Sequence, residues 1–394
     1  MGTFAAVMTG QGTGAISTIQ VFGEKAKTIV KKIFKPAGTK QPTFSPGKIL
    51  LGEIIDGSEP IDQVTIGCES AHCLAINCHG NPLVVADIMQ LLQQHDVKLL
   101  TAEQLLCKIL SEQKHINTIA IEAKLAQAKA KTAEGTKIIA NQIDGGLSEK
   151  AQIWLQNINA ISLDQIKGDA EQILENSRIA NLIIYGCKAV IAGPPNSGKS
   201  TLLNCLCGRQ KAIVTDIKGT TRDWVMGQCR IAPLSVELID TAGLDEKLTA
   251  RPENAVEEES QRRSIQILEE ADLVLFVLDN NQPASQLDKK PLEKIVGKNV
   301  LTALNKSDLP AKLDASKLPE ILESKVKISA KFGSGIDELT EKIRQICGVA
   351  NLDLKSCVCF TTRQENLLKQ LSSTKSKKQA ASIITELLNG QLSV

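Results

Sequence analysis

The chain has no uninterrupted apolar run of the roughly 18 residues that a bilayer-crossing helix requires. Its first thirty residues also lack the basic start and apolar core of an export signal, so a soluble, cytoplasmic protein with no membrane partner is expected. Charge imbalance is missing too. With 46 Lys and Arg against 44 Asp and Glu, the formal net charge is +2, so the composition as a whole demands neither a membrane surface nor a nucleic-acid backbone, and only a local basic patch stays open. The 11 cysteines contain no CxxC pair, and 394 residues can bury a core without disulfides, which points to reduced thiols. Cys68, His72, Cys73, Cys78 and His79 mix thiols and imidazoles without a zinc-type spacing. They are read as small apolar thiols in strands, with a metal site as the alternative. There is no internal repeat, and the only lysine-rich stretch of linker type is Ser372 to Lys378.

Glycines, prolines and apolar periods divide what is present into blocks, as the length leads one to expect. Residues 1–100 hold short strand-like runs, Ile16 to Phe22, Lys48 to Ile55 and Cys73 to Asn77, and predict a small α/β or α+β unit. Residues 101–187 turn to Ala, Lys, Gln and Glu-rich patterns whose apolar positions, such as Ile119, Leu125, Ile138 and Ile139, return at helical spacing. In residues 188–346, short buried runs alternate with helical stretches: Ala189 to Ala192, Val236 to Ile239, Leu273 to Leu278, Val300 to Leu304 and Val326 to Ile328. That rhythm predicts a doubly wound parallel sheet. Residues 347–394 are helical again, with Leu367, Leu368 and Leu371, then Ile383, Ile384, Leu387 and Leu388. The simplest architecture is an α/β domain inserted into an all-α helical domain, preceded by the small N-terminal unit.

The first run of the inserted domain leads into Gly193-Pro194-Pro195-Asn196-Ser197-Gly198-Lys199-Ser200, which fits GxxxxGK[ST] between a strand and a helix. Such a loop turns backbone N–H groups toward phosphates, so Asn196, Ser197, Gly198, Lys199, Ser200 and Thr201 are candidate nucleotide contacts. Lys199 is the point charge at the β- and γ-phosphates and Ser200 offers a hydroxyl to magnesium. Asp240-Thr241-Ala242-Gly243 follows the next strand, where Asp240 can hold magnesium through water and the Gly243 N–H can reach the γ-phosphate. Asn305-Lys306-Ser307-Asp308 follows another. Asp308 can accept both guanine N–H groups, Lys306 can lie along the ring, Asn305 can tie this loop to the phosphate loop, and Ser329-Ala330 can donate to guanine O6. The phosphate-loop motif in its strand–helix context already points to a nucleotide, the other two are weak alone, and the order of all three at successive strand ends selects a GTP-binding P-loop domain. Between the first two lies Gly219-Thr220-Thr221-Arg222-Asp223, in which Thr221 is assigned to close over the γ-phosphate and ligate magnesium. Leu244 stands where Ras-like switches carry a water-orienting glutamine, so another group must do that work, and Glu257-Glu258-Glu259 is a candidate source of a carboxylate.

Together these residues resemble the MnmE (TrmE) family of tRNA-modification GTPases. The likeness is most specific in Gly193 to Asp245, in Ala212-Ile213-Val214-Thr215-Asp216-Ile217 leading to the switch, and in NKSD. Fainter echoes are Thr3-Phe4-Ala5-Ala6, Ile19-Gln20-Val21-Phe22-Gly23, His79-Gly80 and Lys124-Leu125-Ala126-Gln127-Ala128. The resemblance implies an N-terminal folate-binding and dimerisation domain (1–100), a helical domain in two parts (101–187 and 347–394) and a G domain (188–346). It further implies GTP hydrolysis stimulated in a homodimer by potassium on Asn196, Thr215, Ile217 and Thr220, with Asp216 and Gly219 in the same nucleotide-binding loop and Glu257 orienting water. A MnmG-like flavoprotein and tRNA are the implied partners. Departures from the family are Gln20, Ala75 and Glu122 where the folate pocket has arginine, glutamate and lysine, and an end at Gln391-Leu392-Ser393-Val394 where the family has a Cys-Ile-Gly-Lys tail. The three pocket changes remove two cations and an acceptor and add a repulsive charge at Glu122, so they predict little affinity for reduced folate. Three readings stay open: a GTPase of tRNA wobble-uridine modification, a GTPase-driven interaction module of the same family without the folate-dependent chemistry, and a ribosome-assembly GTPase of the Era or Der kind. The last is disfavoured because neither kind carries a split helical domain.

Overall fold

A computed structural model describes residues 2–10, 12–38, 43–112, 116–209, 225–240, 266–287 and 289–392. They form two compact units, one built on residues up to Ile121 and the other on Glu122–Gly390.

The first unit is a seven-stranded sheet in the order β3-β4-β5-β6-β2-β1-β7. Its strands are β1 (Thr3–Val7), β2 (Ile16–Phe22), β3 (Phe34–Pro36), β4 (Ile49–Asp56), β5 (Glu59–Cys68), β6 (Cys73–His79) and β7 (Val97–Leu99). All neighbours are antiparallel except β1 and β7. Alternation along β2 sends Ile19 and Val21 into a core with Ile66, Leu74 and Ile76, covered by α1 (Ala26–Ile33) and α2 (Pro82–Gln94). The Asn81 side chain accepts the Leu83 N–H at 2.9 Å, and Pro82 sits in the first turn, so the local chemistry starts α2 where the sheet needs its cover. A second cluster joins Ala6, Phe22 and Cys73 to Leu105 of α3 (Ala102–Ser111). A Thr101–Gln104 capping box opens that helix. The compact unit therefore runs past residue 100, where composition changes, because α3 buries its apolar face on this sheet.

The second unit begins in α4 (Thr118–Gln127) and continues through α5 (Ala133–Asp144), α6 (Gly146–Gln156) and α7 (Leu163–Tyr185). An α/β region follows. It comprises β8 (Cys187–Ala192), α8 (Lys199–Arg209), β9 (Val225–Ile231), β10 (Leu234–Asp240), β11 (Leu273–Asp279), α9 (Lys289–Lys294), β12 (Val300–Asn305), β13 (Lys325–Lys327) and α10 (Ile336–Ile346). Its sheet has the order β13-β12-β11-β8-β10-β9 and is parallel except for the β9 edge. Every residue of β11 and β12 is buried, as a parallel sheet covered on both faces requires.

The chain then returns to the helices through α11 (Thr362–Ser372) and α12 (Lys377–Asn389), which pack on α7 and α6. Side-chain hydrogen bonds fasten the returning segment to the first helices. Gln142 Nε2 donates to Ser356 O at 3.0 Å, the Cys359 N–H to Ser177 Oγ at 2.8 Å and Tyr185 OH to Phe360 O at 2.5 Å. Burial, with Glu122 and Cys359 nearby, pushes the Tyr185 phenol up to about 12, so it remains a donor throughout the physiological range. The P-loop domain is thus inserted into an all-α domain and preceded by an α/β one, the predicted fold class.

Candidate nucleotide-binding site

β8, β10, β11 and β12 all point their carboxyl ends at one crevice, the usual ligand position in an open α/β sheet. From β8 the chain enters the glycine-rich loop. Gly193 has φ 138°, and a Cβ there would strike the Val277 carbonyl of β11. Gly198 has φ 96°, and a Cβ there would strike the Asn305 amide. Both positions therefore need glycine for conformation and for close approach. α8 starts at Lys199, so its first N–H groups face the loop, which suits an anion. Lys199 is 6% exposed, and its ammonium donates to the carbonyls of Gly193 at 2.6 Å and Pro194 at 3.1 Å. Thr201 follows on the exposed side of α8.

Ser200 Oγ donates to Asp240 Oδ2 at 2.5 Å, which brings together two of the three residues expected to serve magnesium. A hydroxyl beside a carboxylate is a hard oxygen donor set, and it fits that ion. The base-side residues are joined to the phosphate loop by direct bonds. Asn305 Nδ2 donates to Ser197 O at 2.9 Å, and its Oδ1 accepts the Ala330 N–H at 2.9 Å. Ser329 Oγ donates to Asp308 Oδ1 at 2.5 Å, and the Ser307 N–H to Ile328 O at 3.0 Å, so the loops after β12 and β13 form one rim. Lys306 Nζ donates to Asn196 O at 2.8 Å.

The structure thus brings together Asn196, Ser197, Gly198, Lys199, Ser200, Asp240, Asn305, Lys306, Asp308, Ser329 and Ala330. Thr215, Asp216, Ile217, Gly219, Thr220, Thr221, Thr241, Ala242, Gly243 and Glu257 lie outside the described residues. One residue of the crevice has no place in any motif. Asp279 closes β11 and is the ladder partner of Asn305, and its Oδ2 accepts from Lys306 Nζ at 2.7 Å. The signal for it was a carboxylate ending the wholly apolar run Leu273 to Leu278, at the same strand end as Asp240 and Asn305.

The two remaining clusters lie elsewhere. Cys68, Cys73 and Cys78 are buried in β5 and β6. Burial pushes their thiols up, Cys73 with help from Glu69 to about 12. Among the described residues no group of three or more His, Cys, Asp and Glu could hold a metal ion. Of the folate positions, Gln20 lies opposite Ala75 in the ladder and donates to Glu69 Oε2 at 2.6 Å. Glu122 does not supply the free repulsive charge expected of it. Its carboxylate accepts from Arg363 Nε at 2.8 Å and Nη2 at 2.7 Å, from Thr361 Oγ1 at 2.9 Å and from Gln364 Nε2 at 2.7 Å, because a carboxylate this buried needs full compensation.

Comparisons with known proteins bear on both units. A family model described as 50S ribosome-binding GTPase matches residues 188–306, and one described as GTP-binding protein TrmE N-terminus matches residues 3–104. The tRNA modification GTPase MnmE of Clostridioides difficile (strain 630) is 30% identical over 394 residues, or 91% of this chain and 84% of its own length. That of Enterococcus faecalis (strain ATCC 700802 / V583) is 30% identical over 427 residues, or 98% and 88%. Among solved structures, the G domain of the T. maritima FeoB iron transporter aligns with 41% of this chain and 98% of its own, at 30% identity and a TM-score of 0.32.

Proposed function

This chain belongs to the tRNA modification GTPase MnmE family, and from that premise we propose that it hydrolyses GTP to GDP and phosphate in the service of tRNA wobble-uridine modification. One observation carries the nucleotide part. The phosphate loop, the Ser200–Asp240 pair and the base loop at Asn305 converge on a single crevice and are joined by hydrogen bonds there.

Lys199 and the α8 N–H groups bind the β- and γ-phosphates, Asp308 selects guanine, and Asn305 keeps the two subsites in register. Ser200, Asp240 through water and Thr221 would hold magnesium, whose charge would offset that of the phosphates. Asn196, Thr215, Ile217 and Thr220 would hold potassium, which would supply the positive charge an arginine finger gives elsewhere. Glu257 orients the attacking water, and Thr221 reports the γ-phosphate to the rest of the switch. A homodimer, tRNA and a MnmG-like flavoprotein are the proposed assembly, and the cytoplasm its proposed place. Similarity along most of the length of relatives named for tRNA modification weighs against the alternative of an interaction module without that chemistry.

The test is phosphate release by the purified protein from GTP and from ATP at equal concentration, with Lys199→Ala as control. The proposal expects turnover of GTP alone and its loss in the variant. Equal turnover of ATP would contradict it.

A further inference from the structure

Lys306 has φ 61° and Asn196 φ 59°, a left-handed conformation that few residues other than glycine adopt. The two residues meet, since the Lys306 ammonium donates to Asn196 O at 2.8 Å and to Asp279 Oδ2 at 2.7 Å. Asp279 itself is 7% exposed, and its surroundings hold it firmly. Its Oδ1 accepts the Asn281 N–H at 2.8 Å, while the Gln286 side-chain amide accepts its N–H at 3.1 Å and donates to its carbonyl at 3.0 Å. The carboxylate is therefore preset by its own turn, with one oxygen left for Lys306. With its backbone fixed at one end and its ammonium at the other, the Lys306 side chain is a strap across the strand ends of β8, β11 and β12. An ammonium held down between a carbonyl and a carboxylate leaves the four methylenes as an apolar wall, and the pair as a whole adds no net charge there.

We propose that Asp279 is a positioning residue of the guanine site, holding Lys306 so that its stem forms one wall for the purine ring selected by Asp308. This inference rests on the proposed GTP site. The rival role for Asp279 is purely local, as the organiser of the turn from Asn280 to Gln286.

Titration of the full-length protein with fluorescent GDP separates the two roles through a double-mutant cycle. Asp279→Ala should weaken GDP binding about tenfold, and less than about twofold when added to Lys306→Ala, because its effect passes through that lysine. Competition by inorganic triphosphate, which has no base, should stay unchanged. Asp279→Asn keeps the size and the Asn281 bond. It should weaken GDP binding about threefold at an unaltered unfolding temperature, and so serves if the alanine variant fails to fold. An undiminished effect of Asp279→Ala in the Lys306→Ala background, an equal loss of triphosphate binding, or unchanged GDP affinity would overturn the proposal. No GDP binding by the wild-type chain would overturn the GTP site with it, whereas binding without coupling would overturn this inference alone.

Discussion

Asn305→Ala tests the joint on which the site depends. The side chain is 3% exposed, and its amide makes two bonds of 2.9 Å to groups that are themselves buried, the Ser197 carbonyl and the Ala330 N–H. Truncation deletes both bonds and leaves a buried acceptor and a buried donor without this partner. At about 1–3 kcal/mol for each such group, the cost is roughly 2–6 kcal/mol, a large part of the margin of an ordinary domain. With about 2–4 °C lost per kcal/mol in a domain of this class, unfolding without nucleotide should fall on the order of 10 °C. The same change uncouples the phosphate loop from the base loop, so affinity for fluorescent GDP should drop by more than about tenfold. Differential scanning calorimetry and a fluorescence titration read the two effects. A shift under about 2 °C with unchanged affinity would refute the reasoning, because it would mean that neither buried group depends on Asn305.

Asp308→Asn should weaken GTP binding and favour xanthosine nucleotides, since an amide cannot accept both guanine N–H groups; competition between GTP and XTP decides, and an unchanged preference removes Asp308 from the base site. Potassium should speed hydrolysis where sodium does not, and Glu257→Ala should lower turnover with nearly unchanged affinity. Equal rates in the two salts together with loss of turnover in Arg222→Ala, or the loss appearing in Glu258→Ala or Glu259→Ala instead, would contradict these assignments. 5-Formyltetrahydrofolate should bind weakly, because Gln20 and Ala75 remove a cation and an acceptor at about 1.5–3 kcal/mol for each charge-assisted bond; micromolar binding by calorimetry would refute this.

The parts of the fold legible in the sequence are those where a period and a burial pattern coincide. Alternation over Ile16–Phe22 is β2 itself, and the apolar runs at Leu273 and Val300 are the fully buried β11 and β12. β5 was hidden, because its first half, Glu59 to Gln63, is mostly polar and none of its residues is buried. The place of α3 was equally hidden. A capping box and apolar residues at helical spacing reveal a helix but not the sheet face that Leu105 will meet. In the site, motif spacing identified Lys199, Ser200, Asp240 and Asn305 as groups at strand ends. It missed Asp279, because a lone carboxylate after an apolar strand has no spacing to mark it, and its partner Lys306 is contributed by a different strand end. Glu122 was misjudged for a related reason, since its partner Arg363 is 241 residues away in the chain.

The most direct test of the central claim is mass spectrometry of tRNA wobble uridines from cells lacking this protein, complemented with the wild-type chain or with Lys199→Ala. The account predicts that the modified uridine is lost in the deletion, returns with the wild-type chain, and does not return with a chain whose phosphate loop lacks its cation. Wobble uridines modified to the same extent in all three strains would contradict it.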